Sequence, residues 1–546
     1  MDDVINDFLS LYNGLFDKEL PDLFVIPEQD KIEDLLNKVR IKEDFQLFKY
    51  SSDEFDTRIT DFYSIKLHEE EYAGAENTLY YSYKNGGSLR QMGILNPFYY
   101  IAFIHNSILF KDSFFILKYL NFPYYNHSLS PIFANTDFYI IEDFYGRDEE
   151  EYVMNFLVNK CGFDFMQEKI SNNESSFLFS LHVDISNFYQ NIYTHHLERL
   201  GTKYDTFSSK TDNRIASYFK FLDRFNQNTN LSQTKGIIPG PFSSTLCAEL
   251  FMCEIDKKIL DYIANNHEKI GYVRNVDDFT FYSDSKEKLE EIFIKIQLLL
   301  SEYKLSINEE KTKILPCAFE YEESMLDDIE TIVNSFLTAE QKVSTLENYK
   351  AAIGKAIREK KYSLAKAVLT KTNNEIIVRN YEFNDSKPLI NFLLKLSLTE
   401  KYLGSRCFKM IDTLMSKNIN LFNEQILEDF VQKNDLINDL YKDSIIQIWY
   451  YYLINKYGSD DIVSQCFDKY IKTEYTKNPL VLSTFVKKGD GKNKHIFDEI
   501  KKEVVSNGSL FYTKYVHTIM RIFANDKKNY ENYQKSIPAI VKILFN

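Results

Sequence analysis

The stretch around which the chain is organised is Tyr272-Val273-Arg274-Asn275-Val276-Asp277-Asp278-Phe279-Thr280-Phe281-Tyr282. Two adjacent carboxylates, Asp277 and Asp278, lie between two β-prone, aromatic-rich runs, a pattern typical of a hairpin whose tight turn holds both acids. Because packing fixes such a hairpin, its charged tip faces something that neutralises it, and a divalent cation suits paired carboxylates. A surface turn with two solvated acids is the alternative unless a third carboxylate lies nearby.

A third carboxylate, Asp184, comes about ninety residues earlier in the chain. The apolar residues Phe177, Phe179, Leu181 and Val183 alternate with other residues in the period of a half-buried strand, which ends at Asp184. The strand supplies one acid and the hairpin supplies two. This is the layout needed to bind two metal ions near a phosphate.

Two further segments accompany the acids. Glycine and proline punctuate a loop at 235–244, where Ser243 or Ser244 is expected to cap a following helix. That helix carries an apolar stripe formed by Ala248, Phe251, Met252, Ile255 and Ile259. After the hairpin, a second amphipathic helix is predicted to start near Asp284-Ser285 and to run to Tyr303, followed by a segment that reaches Lys313.

In this order the four segments resemble motifs A, B, C and D of the reverse-transcriptase palm, with Asn275-Val276-Asp277-Asp278 in place of the usual Tyr-x-Asp-Asp. The resemblance implies that Asp184, Asp277 and Asp278 are catalytic. It also implies that these three acids, together with Ile185 through its backbone oxygen, bind Mg²⁺, with Mn²⁺ as the alternative ion. The mechanism that we expect is two-metal nucleotidyl transfer.

The same resemblance assigns four residues to the nucleotide. Tyr189 matches the steric-gate position, where an aromatic ring excludes a ribose 2′-hydroxyl, and Gly240 lies in the turn that lets the backbone approach the nucleotide. Arg90 and Lys311 are expected to supply positive charge to the phosphates. The alternatives are a core tyrosine at Tyr189 and a surface arginine beside a flexible glycine turn at Arg90.

Length and composition predict a globular chain with more than one domain. The 546 residues are 44% hydrophobic and 15% aromatic, enough for packed cores. We expect an α+β reverse-transcriptase fingers and palm followed by an all-α, HEAT-like helical-repeat domain, with the N-terminal region and fingers at 1–170, the palm at 171–325 and the repeats at 326–546. Helices are predicted in this last part near 346–357, 389–398, 426–431, 445–454 and 516–523.

Several classes of protein are disfavoured by the sequence. No run approaches the roughly 20 apolar residues of a membrane span, and the acidic start lacks the basic region of a secretory signal. Six cysteines without paired metal-ligand spacing indicate reduced, buried thiols in a cytosolic protein. His195 and His196 are adjacent, so on a helix they face different directions, and packing is expected rather than metal binding.

Net charge bears on the nucleic acid that the protein holds. The chain has 65 basic and 80 acidic residues, a formal charge of −15. Proteins that grip a long duplex usually display a basic stripe. The balance therefore favours a polymerase with a short or absent template.

A narrower resemblance follows from Ser-Asn-Phe-Tyr after the motif A acid, Tyr-Thr-His soon afterwards, Glu-Leu-Phe-Met after motif B, and the long helical C-terminal half. Together they are similar to the bacterial abortive-infection reverse transcriptases, of the AbiK type and its prophage-borne relatives. The resemblance implies phage defence under an unknown phage trigger and template-independent DNA synthesis from deoxynucleoside triphosphates, primed by a protein tyrosine. It further implies a DNA product attached covalently to the protein, no membrane partner, and a homo-trimer or homo-hexamer. Tyr50, in a polar stretch, is the candidate priming residue.

Two other functions stay open at this point. One is a template-dependent, retron-like reverse transcriptase that copies a bound RNA. The other is a scaffold with an idle palm that senses a phage component through its helical half. The presence of all three acids and of the gate aromatic argues against a scaffold, which needs none of them.

Overall fold

The structure of the chain is a computed structural model. It describes residues 15, 19–21, 48–50, 59–62, 64–67, 70–109, 163–204, 214–266, 269–317, 325–338, 343–417, 431–473, 476–503, 513–526 and 529.

The N-terminal part contains short antiparallel strand pairs and a buried helix. The pairs are β1 with β2, β3 with β4, and β5 with β6. The elements are β1 Phe48–Tyr50, β2 Ile59–Phe62, β3 Ser64–Leu67, β4 Glu70–Ala73, β5 Thr78–Tyr83, β6 Leu89–Ile94 and helix α1 Pro97–Leu109. α1 is apolar on nearly all sides and is buried from Pro97 to Ser107, as expected of a helix without a polar face.

The central part alternates helices with the strands of one sheet. Its elements are α2 Phe163–Ser176, β7 Phe179–Asp184, α3 Phe188–Asn191, α4 His195–Tyr204, α5 Arg214–Asn228, α6 Phe242–Asn265, β8 Gly271–Asn275, β9 Asp278–Ser283, α7 Lys286–Glu302 and β10 Lys313–Pro316. The predicted strand ending at Asp184 and the predicted helix running to Tyr303 are both confirmed, the latter within one residue.

The sheet of the central part has the strand order β10-β7-β9-β8, with antiparallel neighbours. In β7, Leu181 and Val183 are buried while Asp184 is only partly covered. Because side chains alternate across a strand, the apolar residues anchor the sheet in the core and leave the acid at the open end of β7. β7 lies next to the hairpin strand β9, so its last residue meets the hairpin tip.

Helix α6 begins differently from the prediction. Its N-cap residue is Pro241, which makes no side-chain capping bond, and Ser243 and Ser244 lie buried inside the first turn. The prediction that one of the serines caps the helix was wrong. Proline has no amide hydrogen to satisfy and its fixed φ suits the entry to a helix, so the chain enters α6 two residues earlier.

The C-terminal part is helical throughout its described residues. Its helices are α8 Met325–Thr338, α9 Val343–Arg358, α10 Tyr362–Val378, α11 Lys387–Thr399, a 3₁₀ turn Lys401–Leu403, α12 Gly404–Lys417, α13 Asn434–Leu440, α14 Ile445–Tyr457, α15 Asp460–Ile471, α16 Pro479–Thr484, α17 Lys492–Glu503 and α18 Val516–Asn525. The helices predicted near 346–357, 389–398, 445–454 and 516–523 are confirmed, whereas the one near 426–431 lies almost wholly outside the described residues. The domain boundaries and the repeat architecture stay predictions.

The helical part is fastened to the N-terminal strands. The backbone amide of Tyr81 in β5 donates to the carbonyl of Asp443 at 2.8 Å, just before α14. The hydroxyl of Thr78, also in β5, donates to the carbonyl of Lys514 at 2.6 Å, just before α18. The β5–β6 hairpin is thus held by the last third of the chain.

The cysteines and the helices also bear on the expected class of protein. Cys161 lies outside the described residues, and the five described cysteines are buried and form no disulfide bond with one another. Among the described helices, none combines the length and the apolar character needed to cross a membrane.

Candidate active site

The tip of the β8–β9 hairpin differs in one respect from the prediction. Asn275 pairs with Asp278, so the turn consists of Val276 and Asp277, and Asp278 is already the first residue of β9. The prediction placed both acids in the turn. Moving Asp278 into the strand sets it in register with Asp184, its cross-strand neighbour on β7.

Backbone contacts bring the three acids together. The amide of Ile185 donates to the carbonyl of Asp277 at 3.3 Å, which ties the end of β7 to the hairpin turn. The carboxyls of Asp278 and Asp184 share a hydrogen bond. Acids that are about ninety residues apart in the sequence therefore face one another across a single strand pair.

Asp184 is held in place by Lys311 and Asn308, which lie in the segment that follows α7. The Lys311 ammonium donates to Oδ1 of Asp184 at 2.8 Å, and the Asn308 side-chain amide donates to Oδ2 at 3.1 Å. The Asn308 backbone amide also donates to the Asp184 carbonyl at 2.8 Å. Lys311, predicted to reach the phosphates, thus occupies the carboxylate itself. Asn308 was not among the predicted site residues, and its only sequence signal is its place in the segment that matches motif D.

Burial and the proximity of like charges shift the pKa values of Asp277 and Asp278 upward. Burial and the charge of Asp184 raise the pKa of Asp277, although Arg90 and Lys311 oppose the rise. Burial, the hydrogen bond that the protonated Asp278 donates to Asp184, and the charges of Asp277 and Asp184 raise the pKa of Asp278 to about 7. The retained proton relieves repulsion between the neighbouring carboxylates at neutral pH. A bound cation would relieve the same repulsion in place of the proton.

This proton has a consequence for stability. An aspartate titrates near pH 3.9 in an unfolded chain, so between about pH 4 and 7 the folded state binds more protons at Asp278 than the unfolded state does. Its contribution to stability is therefore present below pH 4 and is lost as pH rises to about 7. Asp278→Asn removes this pH-dependent loss of stability, because an amide does not titrate in this range. Although neighbouring groups partly bury the Asp278 carboxyl, the residue is exposed as a whole and solvent screens its charge. We therefore expect the metal-free variant to be more stable than the wild type by only about 1 kcal/mol at pH 8.

Urea denaturation in EDTA between pH 4 and 8 measures this difference. The gain in the free energy of unfolding should shrink towards zero at pH 4. Asp328→Asn, at an exposed position on α8, serves as the control and should show no pH-dependent difference from the wild type. Equal stability of wild type and Asp278→Asn at pH 8 would contradict the raised pKa.

The donor set suits a hard divalent cation. Asp184 and Asp278 are hydrogen-bonded to one another, Asp277 lies in the adjoining turn, and a cleft of about 470 Å³ beside them is lined by Asp184, Asp278, Lys311 and His182, among other residues. Mg²⁺ prefers oxygen ligands, one or two protein carboxylates, and space for water and substrate phosphates. The arrangement of Asp184, Asp277 and Asp278 therefore fits the metal that the sequence analysis expected.

Tyr189 lies at the side of this cluster. Its backbone carbonyl accepts the amide of Ile237 at 2.8 Å, which holds the tyrosine against the loop before α6. Burial raises the pKa of Tyr189 to about 12, against a hydrogen bond with Thr245 and with support from the charges of Glu249 and Asp277. The phenol is thus neutral at physiological pH and is held by contacts on two sides. This is the environment required of a fixed, uncharged ring.

The loop before α6 packs closely against β6. The Gly93 amide donates to the carbonyl of Pro239 at 3.0 Å. Gly240 has φ +123°, and a Cβ at this residue would lie 3.0 Å from the Gly93 carbonyl oxygen. Glycine is therefore required at Gly240 both by its backbone conformation and by the close approach of a neighbouring strand.

The two N-terminal candidates differ in what the structure shows. Arg90 is exposed on β6, and its charge opposes the rise in the pKa of both Asp277 and Tyr189. Tyr50 is the last residue of β1 and pairs with Ile59, but its side chain lies outside the described residues.

The adjacent histidines have separate surroundings, as expected. The His196 ring contacts the rings of Phe251 and Tyr303, with centroids 5.5 and 5.3 Å away. His195 Nδ1 lies 2.9 Å from Oδ2 of the buried Asp223. His195, Asp223 and Glu198 also offer ligand atoms within 4.8 Å of one another, an arrangement that sequence spacing did not indicate.

Comparison with protein families identifies the central part of the chain. Residues 145–369 match the family model described as reverse transcriptase (RNA-dependent DNA polymerase). The match includes all three acids, Tyr189, Gly240 and Lys311. Residues 145–369 thus correspond to a reverse transcriptase domain, which indicates a polymerase of the nucleotidyltransferase class, and polymerases of this family generally use divalent metals. No curated protein sequence matches the chain.

Solved telomerase structures are similar to the chain. Telomerase from Candida albicans in complex with TWJ fragment of telomeric RNA is 11% identical, with a TM-score of 0.33 over 70% of this chain and 66% of that one. Apo telomerase from Candida tropicalis truncated from its C-terminal domain is 14% identical, with a TM-score of 0.31 over 50% and 59%. The longer apo telomerase from Candida tropicalis is 12% identical, with a TM-score of 0.34 over 77% and 70%. The chain thus spans slightly less than two thirds of the first two relatives.

Proposed function

We propose that this reverse-transcriptase domain works as a phage-defence DNA polymerase of the abortive-infection type, which starts synthesis on a protein tyrosine and extends DNA without a template. The observation that carries the polymerase part is the meeting of Asp184, Asp277 and Asp278 at the end of one strand pair. The defence role and the priming rest on the sequence resemblance to the AbiK type.

Asp184, Asp277 and Asp278, with the backbone carbonyl of Ile185, would hold Mg²⁺, or Mn²⁺ in its place. When two such ions are bound, they lower the pKa of the attacking hydroxyl and stabilise negative charge on the triphosphate and the leaving pyrophosphate. Binding of positive charge at Asp184 competes with its ion pair to Lys311, which lies only 2.8 Å away. Lys311 is 63% exposed, so its ammonium is free to turn from Asp184 towards a triphosphate.

The remaining site residues select and orient the nucleotide. Arg90 on β6 and Lys311 after α7 would supply positive charge to the phosphates. The ring of Tyr189, held by Thr245 and by the loop before α6, would exclude a ribose 2′-hydroxyl. Gly240 keeps the neighbouring backbone close to the nucleotide.

The net charge supports synthesis without a long template, because a formal charge of −15 is poorly suited to gripping an extended duplex. Tyr50 is the proposed priming residue. A tyrosine hydroxyl requires activation at neutral pH, because an unperturbed phenol has a pKa near 10. The helical C-terminal part would form HEAT-like repeats in place of a thumb, in a trimeric or hexameric cytoplasmic assembly that responds to a phage component.

Intact-mass analysis of the protein made in bacterial cells tests this proposal. We expect a ladder of added mass, in steps of one deoxynucleotide, that DNase removes down to a stub on the protein. Asp277→Asn should give the unmodified mass, since synthesis depends on the acid. An unmodified mass for wild-type protein made in cells would contradict protein priming, provided that the same protein, once purified, extends added primers.

The family match supports a second candidate, a polymerase that copies RNA, because the family is described as RNA-dependent. Purified protein supplied with deoxynucleoside triphosphates separates the two functions. Incorporation without added nucleic acid, unchanged after RNase treatment, supports template-independent synthesis. Incorporation that needs an RNA, with product complementary to it, supports the second candidate.

A further inference from the structure

Arg274, in strand β8, is among the largest fully buried side chains of the residues that the structure describes. It makes paired contacts with two acids of α6: Nη1 and Nη2 donate to Glu249 at 3.2 and 3.0 Å, and Nε and Nη2 donate to Asp256 at 2.9 and 2.8 Å. The Tyr272 hydroxyl also donates to Asp256 at 2.6 Å. Four of the five guanidinium N–H groups thus donate to the two carboxylates, an arrangement that the three donors on the single nitrogen of a lysine could not reproduce.

One more contact leads from this network to the active site. Arg274 Nη1 also donates to the backbone carbonyl of Val276 at 2.8 Å. Val276 is the first residue of the turn that carries Asp277. The guanidinium thus joins helix α6 to the hairpin tip through one hydrogen bond to the backbone.

Val276 has an unfavourable backbone conformation. Its φ is +56°, a region that costs a β-branched residue of the order of 1–3 kcal/mol. Such a conformation persists only when its surroundings enforce it. The hydrogen bond from Arg274 and the bond between Ile185 and the Asp277 carbonyl grip the turn from its two ends.

Stability alone does not account for the network. Arg274 and Glu249 are both 0% exposed, and Asp256 is 4% exposed, so three charges with a net value of −1 are removed from water. Apolar residues of similar size often replace such a buried cluster with equal or greater stability. Because this buried cluster also bonds to the strained turn at Val276, we assign it a different role, which is to fix the conformation of that turn.

We propose that Arg274 is a positioning residue: braced by Glu249 and Asp256 on α6, it holds Val276 in its left-handed conformation so that Asp277 faces Asp184 across the metal site. The proposal rests on the proposed polymerase function. It adds a residue from outside the carboxylate cluster, which acts through the Val276 carbonyl rather than on substrate. Loss of the brace lets Val276 relax to negative φ, which rotates Asp277 away from Asp184.

The test needs variants that fold. Arg274→Met alone leaves the buried charges of Glu249 and Asp256 without the opposing charge of the guanidinium, which is strongly destabilising. The triple variant Arg274→Met, Glu249→Gln, Asp256→Asn removes the three charges together and keeps the packing volume. A second variant, Arg274→Lys, keeps a buried charge but cannot donate to both acids and the Val276 carbonyl at once. Arg379→Met, an exposed arginine on the surface of the helical part, is the control.

We expect kcat to fall about 10- to 100-fold in the triple variant and at least about 5-fold in Arg274→Lys, since misplacement of a reacting group by 1 Å costs about 100-fold. KM for the nucleotide should change less than about 3-fold. Mn²⁺ affinity, measured by calorimetry without nucleotide, should fall about 10-fold in the triple variant. Arg379→Met should match the wild type in all three measurements.

A rescue separates positioning from a general structural role. Glycine at the first turn position favours positive φ without a brace, so adding Val276→Gly to the triple variant should restore at least about 5-fold of kcat and most of the Mn²⁺ affinity. Wild-type kcat and Mn²⁺ affinity in the folded triple variant would overturn the proposal, as would losses that Val276→Gly does not recover. If the wild type itself incorporates no nucleotide, the polymerase proposal fails, while the Mn²⁺ affinities still test Arg274.

Discussion

Asp277→Asn is expected to lower nucleotide incorporation by at least about 1,000-fold while the protein stays folded. Asp277 is the turn residue whose carbonyl accepts the Ile185 amide, and the charges of Asp184 and Arg90 both act on its carboxyl. An amide cannot supply the negative charge that holds a divalent cation beside the triphosphate. Because burial and Asp184 already raise the pKa of the Asp277 carboxyl, loss of its charge removes a repulsion and should not weaken the fold.

Incorporation of a labelled deoxynucleotide measures this effect, and circular dichroism with thermal unfolding verifies the fold. Asp328→Asn makes the same chemical change at an exposed position on α8 and should keep wild-type activity. Incorporation by Asp277→Asn within 10-fold of the wild type would remove this carboxylate from the catalytic site.

Tyr189→Ala is expected to lower discrimination between deoxy- and ribonucleotides by about 100-fold, the range that a single shape contact provides. The ring is held by Thr245 and by the loop before α6, so it presents a fixed surface beside Asp277. Alanine leaves space for a 2′-hydroxyl, and ribonucleotide incorporation should rise while deoxynucleotide incorporation changes less than about 5-fold.

The matched variant Tyr189→Phe keeps the ring and removes the hydroxyl that bonds Thr245. It should keep most of the discrimination, which would assign the effect to the ring and not to the hydrogen bond. The ratio of kcat/KM for the two nucleotides is the measurement. Unchanged discrimination in Tyr189→Ala would make Tyr189 a packing residue, the alternative that the sequence left open.

The sequence predicted the parts of the site that local pattern controls. Alternation of apolar residues located the strand that ends at Asp184, and two β-prone runs located the hairpin at Asp277 and Asp278. Helical spacing located α7 and four helices of the C-terminal part. These patterns reflect burial on one face of an element, which the residues of that element decide by themselves.

Contacts between distant segments could not be predicted in this way. The pairing of Asn275 with Asp278, which moves an acid out of the turn, depends on register and not on composition. Lys311 on Asp184 is a contact over more than one hundred residues, and only motif order hinted that the two lie close. Arg274 lies in an apolar strand, and the residues around it in the sequence do not indicate that it pairs with two acids of α6.

The attachment of the helical part to the β5–β6 hairpin could not be predicted from the sequence either. Tyr81 and Thr78 donate to the backbone carbonyls of Asp443 and Lys514. Because every residue has a backbone carbonyl, the residue types do not indicate such contacts. Arg90 follows on β6, so the strand that carries this cation is held by the last third of the chain. Domain boundaries drawn from composition at 170 and 325 do not express this connection.

The central claim is that Asp184, Asp277 and Asp278 form one divalent-metal site. Anomalous diffraction from crystals grown with Mn²⁺ and a non-hydrolysable deoxynucleotide tests it most directly. We predict Mn²⁺ within roughly 2.5 Å of carboxylate oxygens of both Asp184 and Asp277, with the Lys311 ammonium displaced from Asp184. Bound nucleotide with Lys311 still on Asp184, and no anomalous peak between the two acids, would contradict the account.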